Sequence, residues 1–405
     1  MDLDKSPLND DSQQRRSSEH ALHPTNALPV EPDPSASTTF LSYHDNDRIY
    51  SGYVPTTPLD ELAWTANYRI LRLLGKGAQG VVYLAHREGV DGYFTSVALK
   101  VFYRHPDRET SDYVREMKRI AGQAQRVSGV QHDNLISIRD FVTIDGVAID
   151  GDRVMVLEWV DGLDLARLLD LQRLESLKQR LTPENWRHLN DVIVTAGEDH
   201  CRLKPGLAVD VLRGCLAGLS ALHHNDIVHC DLKPSNIMIK RTGTKKIIDI
   251  DSSCVLGAEK DGVRGTPYYM APEQLKDRRV ELGSDIASLG YVLIEMLTGR
   301  QLFRQCESRE NLIAAKHELP GRLDHILPEE VRTAPLLYEL VHKMIAVDPS
   351  ERFADADAAD LDRVGAVSFH RQLVRDNLST EYDRELAWWL EAMYDASVGP
   401  FPQNP

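Results

Sequence analysis

Closely spaced cysteine pairs are missing from this sequence of 405 residues. The five cysteines are odd in number and lie far apart, at Cys201, Cys215, Cys230, Cys254 and Cys306. Disulfide frameworks and zinc sites both need paired or clustered cysteines, so this spacing argues against either. The pattern is typical of a reducing compartment, and we expect a cytoplasmic protein.

An excess of basic residues is missing too. Lysine and arginine number 47 against 62 aspartates and glutamates, which gives a formal net charge of -15. Nucleic acids and anionic lipid surfaces are bound by clustered cations, so we expect neither as the main partner. A nucleotide is not excluded, because it needs only a few local cations and a metal ion.

Long uncharged apolar runs are also absent. The longest nearly uncharged segment extends from Ile286 to Leu297, contains Glu295, and is short enough to predict a buried helix. The chain starts Met1-Asp2-Leu3-Asp4-Lys5, without the basic start and apolar core of a signal peptide. We therefore expect no membrane span. Hydrophobic residues at 42% are sufficient for a sizeable core.

The chain changes character near residue 66. Residues 1–65 are rich in Ser, Thr, Pro, Asn and Asp without a sustained apolar period, which predicts a disordered tail. Beyond it, the pattern predicts strands at 68–74, 81–85, 95–103 and 154–160, and a helix over 112–127. Helices dominate the remainder. This order predicts an α+β protein in which a small β-rich lobe packs on a larger helical lobe.

A glycine-rich turn and a strand that ends in lysine carry the first chemical signal. Gly75, Gly77 and Gly80 lie between two predicted strands and are followed by Val82. Glycines there let backbone amides approach phosphate oxygens, whereas a dinucleotide fold has them between strand and helix. The next strand ends at Lys100, which is costly to bury unless it meets an anion. An ordinary turn and a lysine reaching toward solvent are the alternatives.

The segment 229–236 contains three polar groups between two apolar runs. It reads His-Cys-Asp-Leu-Lys-Pro-Ser-Asn, with a carboxylate at Asp231, a cation at Lys233 and a carboxamide at Asn236. Such a loop can aim a base and a metal ligand into one cleft while its flanks stay buried. Further on, Asp249 and Asp251 follow another predicted strand.

These segments resemble, in order and spacing, the signature motifs of protein kinases. The similarity includes the glycine loop, the V-A-I-K strand, the H-R-D-L-x-x-x-N loop, Asp-Phe-Gly and the G-T-x-x-Y-x-A-P-E segment, here at 265–273. Lys233 makes the chain more similar to serine/threonine kinases than to tyrosine kinases. The chain resembles a soluble bacterial serine/threonine kinase of the eukaryotic type. It implies a bilobal fold with an N-lobe at 66–158, a C-lobe at 159–365 that has an insertion at about 175–204, and a C-terminal helical extension and short tail at 366–405.

The resemblance also implies a role for each polar residue. Asp231 is expected to accept or orient the proton of an attacking hydroxyl, and Lys233 to neutralise charge on the transferred phosphoryl group. Asn236 and Asp249 are expected to bind Mg²⁺. Lys100 is expected to hold nucleotide phosphates, fixed by the helix residue Glu116, with Glu109 as the alternative. The residues expected to contact ATP are Gly75, Gly77, Gly80, Val82, Ala98, Lys100, Glu158, Val160 and Met238.

Three further residues have roles in the framework of the loop. The resemblance predicts that Asp285 braces the backbone of the catalytic loop and that Glu273 pairs with Arg352. Without the family, a helix cap and a surface ion pair are the simpler interpretations.

Two residues depart from the kinase pattern. Cys230 replaces the arginine that in many kinases clamps a phosphorylated activation loop, since guanidinium suits phosphate geometry. We therefore expect activity not to depend strongly on phosphorylation of Ser252, Ser253 or Thr266. Oxidation of Cys230 is a further hypothesis, against the simpler one of a small buried filler. Asp251 replaces glycine and predicts either a stiffer loop or a second acidic group near the metal.

The predicted function is Mg²⁺-dependent transfer of the ATP γ-phosphate to serine or threonine hydroxyls of protein substrates. A pseudokinase that binds nucleotide or protein partners is the alternative that Cys230 and Asp251 favour. A small-molecule phosphotransferase is disfavoured by the peptide-seating segment at 265–273. One face of the last predicted helix carries Leu386, Trp389, Leu390 and Met393; packing on its own domain is favoured there over docking of a partner.

Overall fold

The computed structural model describes residues 68–77, 79–104, 109–143, 153–257, 265–375 and 381–397. The predicted disordered tail at 1–65 lies outside these residues.

The N-lobe is an antiparallel sheet that packs against one long helix. Its elements are β1 (Tyr68–Lys76), β2 (Gly80–Glu88), β3 (Phe94–Phe102), α1 (Thr110–Ser128), β4 (Ile138–Thr143) and β5 (Arg153–Glu158). The strand order is β1-β2-β3-β5-β4. The buried residues of α1 recur every three or four positions, which gives this helix one apolar face: Tyr113, Met117, Ile120, Ala124 and Val127.

The register of the sheet buries the end of β3. Lys100 lies opposite Val82 on β2 and Met155 on β5, so it is in the middle of the sheet. Its side chain is 7% exposed. The predicted strand at 154–160 is two residues too long, because β5 ends at Glu158 and leaves Val160 in the linker to the second lobe.

The C-lobe is mostly helical. Its first half contains β6 (Gly162–Asp164), α2 (Leu165–Leu168), α3 (Leu171–Lys178), α4 (Pro183–His188), β7 (Val194–Ala196), β8 (Cys201–Leu203), α5 (Pro205–His223), β9 (Ile227–Val228), β10 (Ile237–Lys240), β11 (Lys245–Ile247) and β12 (Cys254–Val255). Its second half contains α6 (Pro272–Asp277), α7 (Leu282–Thr298), α8 (Arg309–Ile326), α9 (Glu329–Arg332), α10 (Pro335–Met344), α11 (Ala356–Leu361), α12 (Ala366–Arg375) and α13 (Tyr382–Ser397). The bilobal α+β prediction is confirmed.

Two helices form the centre of the C-lobe. The helix predicted over Ile286–Leu297 is α7, which is buried along nearly its whole length. It packs against α5. Among the described helices, α5 alone has the length and apolarity of a membrane span, and 56% of that window is buried inside the protein.

Short strands of the C-lobe position the polar loops. Strands β6, β10 and β11 form one small sheet in the order β11-β10-β6, and β9 pairs with β12. The loop 229–236 therefore leaves β9 and enters β10, so both of its ends are anchored. A 3-10 turn at Pro234–Asn236 closes the loop.

The predicted insertion and the last helix pack together. Residues 175–204 include the end of α3, α4, a π-helical turn at Leu189–Ile193 and the β7–β8 hairpin. Helix α13 contacts α3 and this turn. The predicted apolar face of α13 is buried there, and Trp389 and Leu390 are fully inaccessible. The prediction that this face packs on its own domain is confirmed.

Candidate active site

The carboxylate of Asp231 is the centre of the polar cluster. Its Oδ2 accepts hydrogen bonds from Lys233 Nζ at 2.9 Å and from Asn236 Nδ2 at 3.1 Å. Its Oδ1 accepts two from Thr266, from the backbone N–H and from the hydroxyl, each at 2.8 Å. Lys233 Nζ also donates to the Thr266 hydroxyl at 2.9 Å. The three loop residues named from the sequence are therefore together, and Thr266 completes the cluster.

The backbone of the loop is held by Asp285, as predicted. Asp285 is fully buried at the start of α7, and its carboxylate accepts the backbone N–H of His229 at 2.7 Å and that of Cys230 at 2.9 Å. The ring of His223 contacts the same carboxylate at 3.2 Å. This support stabilises Cys230 at a φ of +68°, a left-handed conformation that non-glycine residues seldom adopt.

Lys100 meets two carboxylates across the boundary between the lobes. Its Nζ lies 2.7 Å from Asp249 Oδ1 and 2.6 Å from Asp251 Oδ2. Burial alone would lower the pKa of Lys100 and raise that of Asp249; the ion pair reverses both shifts, so the lysine is charged and the pKa of Asp249 is below its ordinary value. Burial, with repulsion from Asp249, raises the pKa of Asp251 to about 6.

Asp251 does not need the backbone freedom of the glycine that it replaces. The residue of this segment with a positive φ is Asp249, at +64°, whereas Asp251 is not in the left-handed region. The Asp251 side chain is nearly inaccessible, at 2% exposure. Its effect on the site is therefore electrostatic, through Lys100, rather than steric.

Glu116 does not make the contact to Lys100 that the sequence predicts. Its carboxylate pairs with Arg119 one turn later, with an Nη2–Oε1 distance of 2.8 Å, and Arg119 also donates to the carbonyl of Asp251 at 3.0 Å. The carboxylates on Lys100 in this conformation are those of Asp249 and Asp251. The alternative, Glu109, is the exposed N-cap residue of α1 and accepts from Ser111. The sequence does contain a signal for this outcome, because Arg119 lies three residues after Glu116 on the same helix and can pair with it.

The glycine turn closes on itself over the sheet. Gly75 lies opposite Val82, and the N–H of Gly77 donates to the carbonyl of Gly80 at 2.9 Å. A Cβ on Gly80 would collide with the Val101 carbonyl oxygen, so this position requires glycine. The close approach at Gly80 is to the neighbouring strand β3, and the predicted approach of backbone amides to phosphate remains a prediction.

The remaining residues predicted to contact ATP lie on strands of both lobes and in the linker between them. Ala98 is buried on β3, and Met238 is half-buried on β10. Glu158 ends β5 opposite Val97, and Val160 is buried just after it. The Glu158 carboxylate accepts from Lys246 Nζ and from the Ser137 N–H, both at 2.7 Å, so it is already engaged by protein groups.

Two oxygen donors near the cluster suit a hard cation. Asn236 is fully buried, and although its Nδ2 is bound to Asp231, its Oδ1 has no hydrogen-bond partner in the described structure. The carboxylate of Asp249 is the second donor. No group of three or more His, Cys, Asp or Glu side chains in the described part of the chain could hold a metal. Mg²⁺ commonly takes one or two carboxylates and completes its shell with phosphate and water, so the residues fit this ion.

The segment 265–273 is joined to the rest of the C-lobe by a buried ion pair. Arg352 donates from Nη1 and Nη2 to the two carboxylate oxygens of Glu273, at 2.8 and 2.7 Å. Ser284 also donates to Glu273 at 2.8 Å. The predicted Glu273–Arg352 pair is confirmed and is buried rather than superficial.

Three contacts of this region were not found from the sequence. They are those of Thr266 with Asp231, of Asp251 with Lys100, and of Cys254 with Cys230. Each joins the segment 249–266 to another element, and local sequence spacing contains no signal for such contacts.

Comparison with known proteins agrees with this geometry. The sequence profile of the protein kinase domain matches residues 68–361. Serine/threonine-protein kinase PrkC of Bacillus subtilis is 29% identical over 307 residues, which are 74% of this chain and 40% of PrkC. PknA of Corynebacterium glutamicum is 29% identical over 296 residues, 72% of this chain and 54% of the relative. PksC of Streptomyces coelicolor is 29% identical over 301 residues, and the alignment covers 72% of this chain and 47% of PksC. The chain spans about half the length of these curated relatives or less. Because the family profile covers most of the chain and the bilobal fold agrees with it, the chain belongs to the protein kinase family.

Proposed function

We propose that this protein is a serine/threonine protein kinase that transfers the γ-phosphate of ATP to hydroxyls of protein substrates with the help of Mg²⁺. The observation that carries the proposal is the cluster of Asp231, Lys233 and Asn236 in one loop. The relatives named above are serine/threonine-protein kinases, which supports the same activity.

Asp231 has the environment of a group that orients a hydroxyl. Lys233 and Asn236 hold one of its oxygens and Thr266 the other, so the carboxylate cannot rotate freely. An attacking serine or threonine hydroxyl would donate to this carboxylate, which would accept or orient its proton. Positioning of this kind supplies most of the catalysis of phosphoryl transfer, since little covalent chemistry is required.

Lys233 and Lys100 have separate electrostatic roles. Lys233, 2.9 Å from Asp231, would balance negative charge on the transferred phosphoryl group. Lys100 would hold phosphates of the nucleotide beneath the glycine turn. The turn leads into β2, which pairs with the strand of Lys100. Asn236 and Asp249 would hold Mg²⁺, which when bound neutralises phosphate charge.

Binding of ATP requires a rearrangement around Lys100. Its ammonium group is shared by Asp249 and Asp251 in the present conformation. The phosphates and the metal ion would compete for these groups. Glu116 remains our proposal for the carboxylate that fixes Lys100 in the nucleotide-bound state, after it exchanges its pairing with Arg119.

The substrate, the base contacts and the location follow as part of the proposal. The segment 265–273 would seat a protein substrate, and Ala98, Val82, Glu158, Val160 and Met238 would surround the base. The net charge of -15 is unfavourable for nucleic acid as a partner. All five cysteines are free thiols, which supports a reducing, cytoplasmic location.

A pseudokinase is the second candidate, and a specific observation favours it. The carboxylate of Asp251 forms an ion pair with Lys100, the residue proposed to bind phosphate. Radiolabelled transfer from γ-labelled ATP with Mg²⁺, to the protein itself and to generic protein substrates, separates the two functions. We expect transfer by the wild type and none by Asp231→Ala. A wild type that binds ATP and transfers nothing would establish the pseudokinase.

A further inference from the structure

The thiols of Cys230 and Cys254 are in contact. The two sulfur atoms are 3.4 Å apart and share a hydrogen bond, although the residues are 24 positions apart in sequence. Cys230 belongs to the catalytic loop, and Cys254 belongs to the strand that follows the metal-binding segment. A disulfide requires about 2.05 Å between sulfurs, so little more than 1 Å of approach separates these thiols from a bond.

The fold holds both cysteines in place. Cys254 pairs with Val228 across β9 and β12, two residues before Cys230. The backbone of Cys230 is fixed by Asp285, and its carbonyl packs so closely on Gly265 that a Cβ there would collide with it. Cys254 and Gly265 therefore both lie against Cys230. A chance surface encounter of two mobile side chains would not have this double anchoring.

Cys254 differs from the other four cysteines in the direction of its pKa shift, since the hydrogen bond with Cys254, together with burial, raises the pKa of its partner Cys230. Burial raises the pKa of Cys201 and that of Cys215 to about 12 each, and it also raises that of Cys306. The hydrogen bond from the Cys230 thiol instead lowers the pKa of Cys254. Cys254 is also partly exposed, whereas Cys230 is buried. Because Cys254 is the more exposed thiol of the pair, it would react first with an oxidant, and Cys230 would resolve the oxidised form.

We propose that Cys230 and Cys254 form a redox-active dithiol that a hydroperoxide converts to a disulfide, covalently tying the segment after Asp249 to the catalytic loop and lowering phosphate transfer. In the first step the Cys254 thiolate attacks the O–O bond; sulfur gains oxygen as a sulfenic acid, and the released alkoxide takes up a proton. In the second step the Cys230 sulfur displaces that oxygen, which leaves as water with the thiol proton. One hydroperoxide is reduced for each disulfide formed.

The expected loss of activity follows from the position of Cys254 and rests on the proposed kinase function. Asp251 lies three residues before Cys254 and is paired with Lys100. Arg119 and Gln123 of α1 donate to the carbonyls of Asp251 and Ser253, so α1 already holds this stretch. A disulfide at its end would oppose the movement that frees Lys100 for phosphate. In many kinases an arginine at the position of Cys230 holds the activation loop by charge. Here the link between Cys230 and Cys254 would be covalent.

Peptide mapping of the full chain by mass spectrometry tests the proposal. The reduced protein is treated with hydrogen peroxide, free thiols are alkylated, and the protein is digested without reductant. We expect a peptide pair joined through Cys230 and Cys254, loss of most phosphate transfer, and recovery of both on addition of dithiothreitol. Cys254→Ser and Cys254→Ala should lack the linked peptide and keep their activity in peroxide, while Cys215→Ser should behave as the wild type.

Each result has a separate meaning, because the link is detected independently of catalysis. Absence of the linked peptide overturns the dithiol, and inactivation of the two Cys254 variants by peroxide to the same extent as the wild type overturns its control of activity. A link that forms without loss of transfer overturns its control of activity. A protein that forms the link but never transfers phosphate contradicts the kinase function and leaves the dithiol supported.

Discussion

Lys100 and Asp251 form a buried ion pair, with the lysine Nζ 2.6 Å from Oδ2 of the carboxylate. The kinase pattern has glycine at the position of Asp251 and therefore no side chain to make this contact. The pair joins the central strand of the N-lobe to the segment of the C-lobe that contains Asp249. It also gives the lysine a second anion, and under the proposed function nucleotide would compete with that anion for Lys100.

Removal of this competing charge should strengthen ATP binding. Asp251→Asn keeps the size of the side chain, and we expect the Kd for ATP to fall by roughly threefold to tenfold, about 0.7–1.4 kcal/mol. Nucleotide titration with Mg²⁺ measures it, with Asp112→Asn on the exposed face of α1 as the control. Weaker binding together with a higher Mg²⁺ requirement would instead assign Asp251 to the metal.

The hydroxyl of Thr266 should be needed for full activity. It bonds to Asp231 and Lys233, each within 2.9 Å, so Thr266→Val should reduce kcat by about tenfold to a hundredfold with the fold unchanged. Thr266→Ser preserves the hydroxyl and is the matched control. Steady-state phosphorylation of a protein substrate measures both variants. Equal activity of the valine and serine variants would remove Thr266 from the site.

Phosphorylation should not activate the protein through this segment. Phosphorylation of Thr266 would break the hydrogen bonds of its hydroxyl with Asp231 and Lys233. A phosphate on another residue of the segment would find no cation at Cys230 to bind it. We expect phosphatase treatment to leave activity largely unchanged. A large loss of transfer after phosphatase, restored by incubation with ATP, would contradict this expectation.

The Glu273–Arg352 pair should contribute strongly to stability. Arg352 is inaccessible, so Arg352→Ala leaves a buried carboxylate without its partner and should cost about 3–5 kcal/mol of unfolding free energy. The pair between Arg384 and Glu381 is exposed, and Arg384→Ala should change stability by less than about 1 kcal/mol. Denaturant unfolding of the two variants decides it. Similar losses in both would mean that burial is not the cause.

Glu295 should make stability depend on pH. Burial raises its pKa from 4.5 to about 7, although the hydroxyl of Tyr269 at 2.6 Å opposes the shift. The folded protein therefore binds the proton more tightly than the unfolded chain. The resulting stability is fully present below about pH 4.5 and is lost as the pH rises through 7.

Glu295→Gln should remove this pH dependence. The variant keeps an oxygen to accept from Tyr269, and its stability relative to the wild type should grow by roughly 2–3 kcal/mol between pH 5 and pH 8. Unfolding free energies at these pH values measure the difference. Glu381→Gln, at an exposed position, should run parallel to the wild type. A parallel curve for Glu295→Gln would show that the buried carboxyl is not responsible.

Contiguous motifs could be predicted from the sequence, and contacts between distant elements could not. Asp231, Lys233 and Asn236 lie within six residues, so one loop must bring them together. Lys100 was identified as a buried cation from its strand, but its partner was not, because Glu116 and Asp251 lie on different elements. The outcome depends on the placement of α1, where Arg119 competes for Glu116. The contact of Cys254 with Cys230 likewise depends on the pairing of β9 with β12.

Identification of the phosphorylated residues on a protein substrate would decide whether this protein is a serine/threonine kinase. The purified chain is incubated with ATP, Mg²⁺ and a generic protein substrate, and phosphosites are located by mass spectrometry beside an Asp231→Ala control matched for folding. We predict phosphoserine or phosphothreonine with the wild type and neither with the variant. Phosphate on no residue, in a wild type that binds ATP, would contradict it, as would equal phosphorylation by Asp231→Ala.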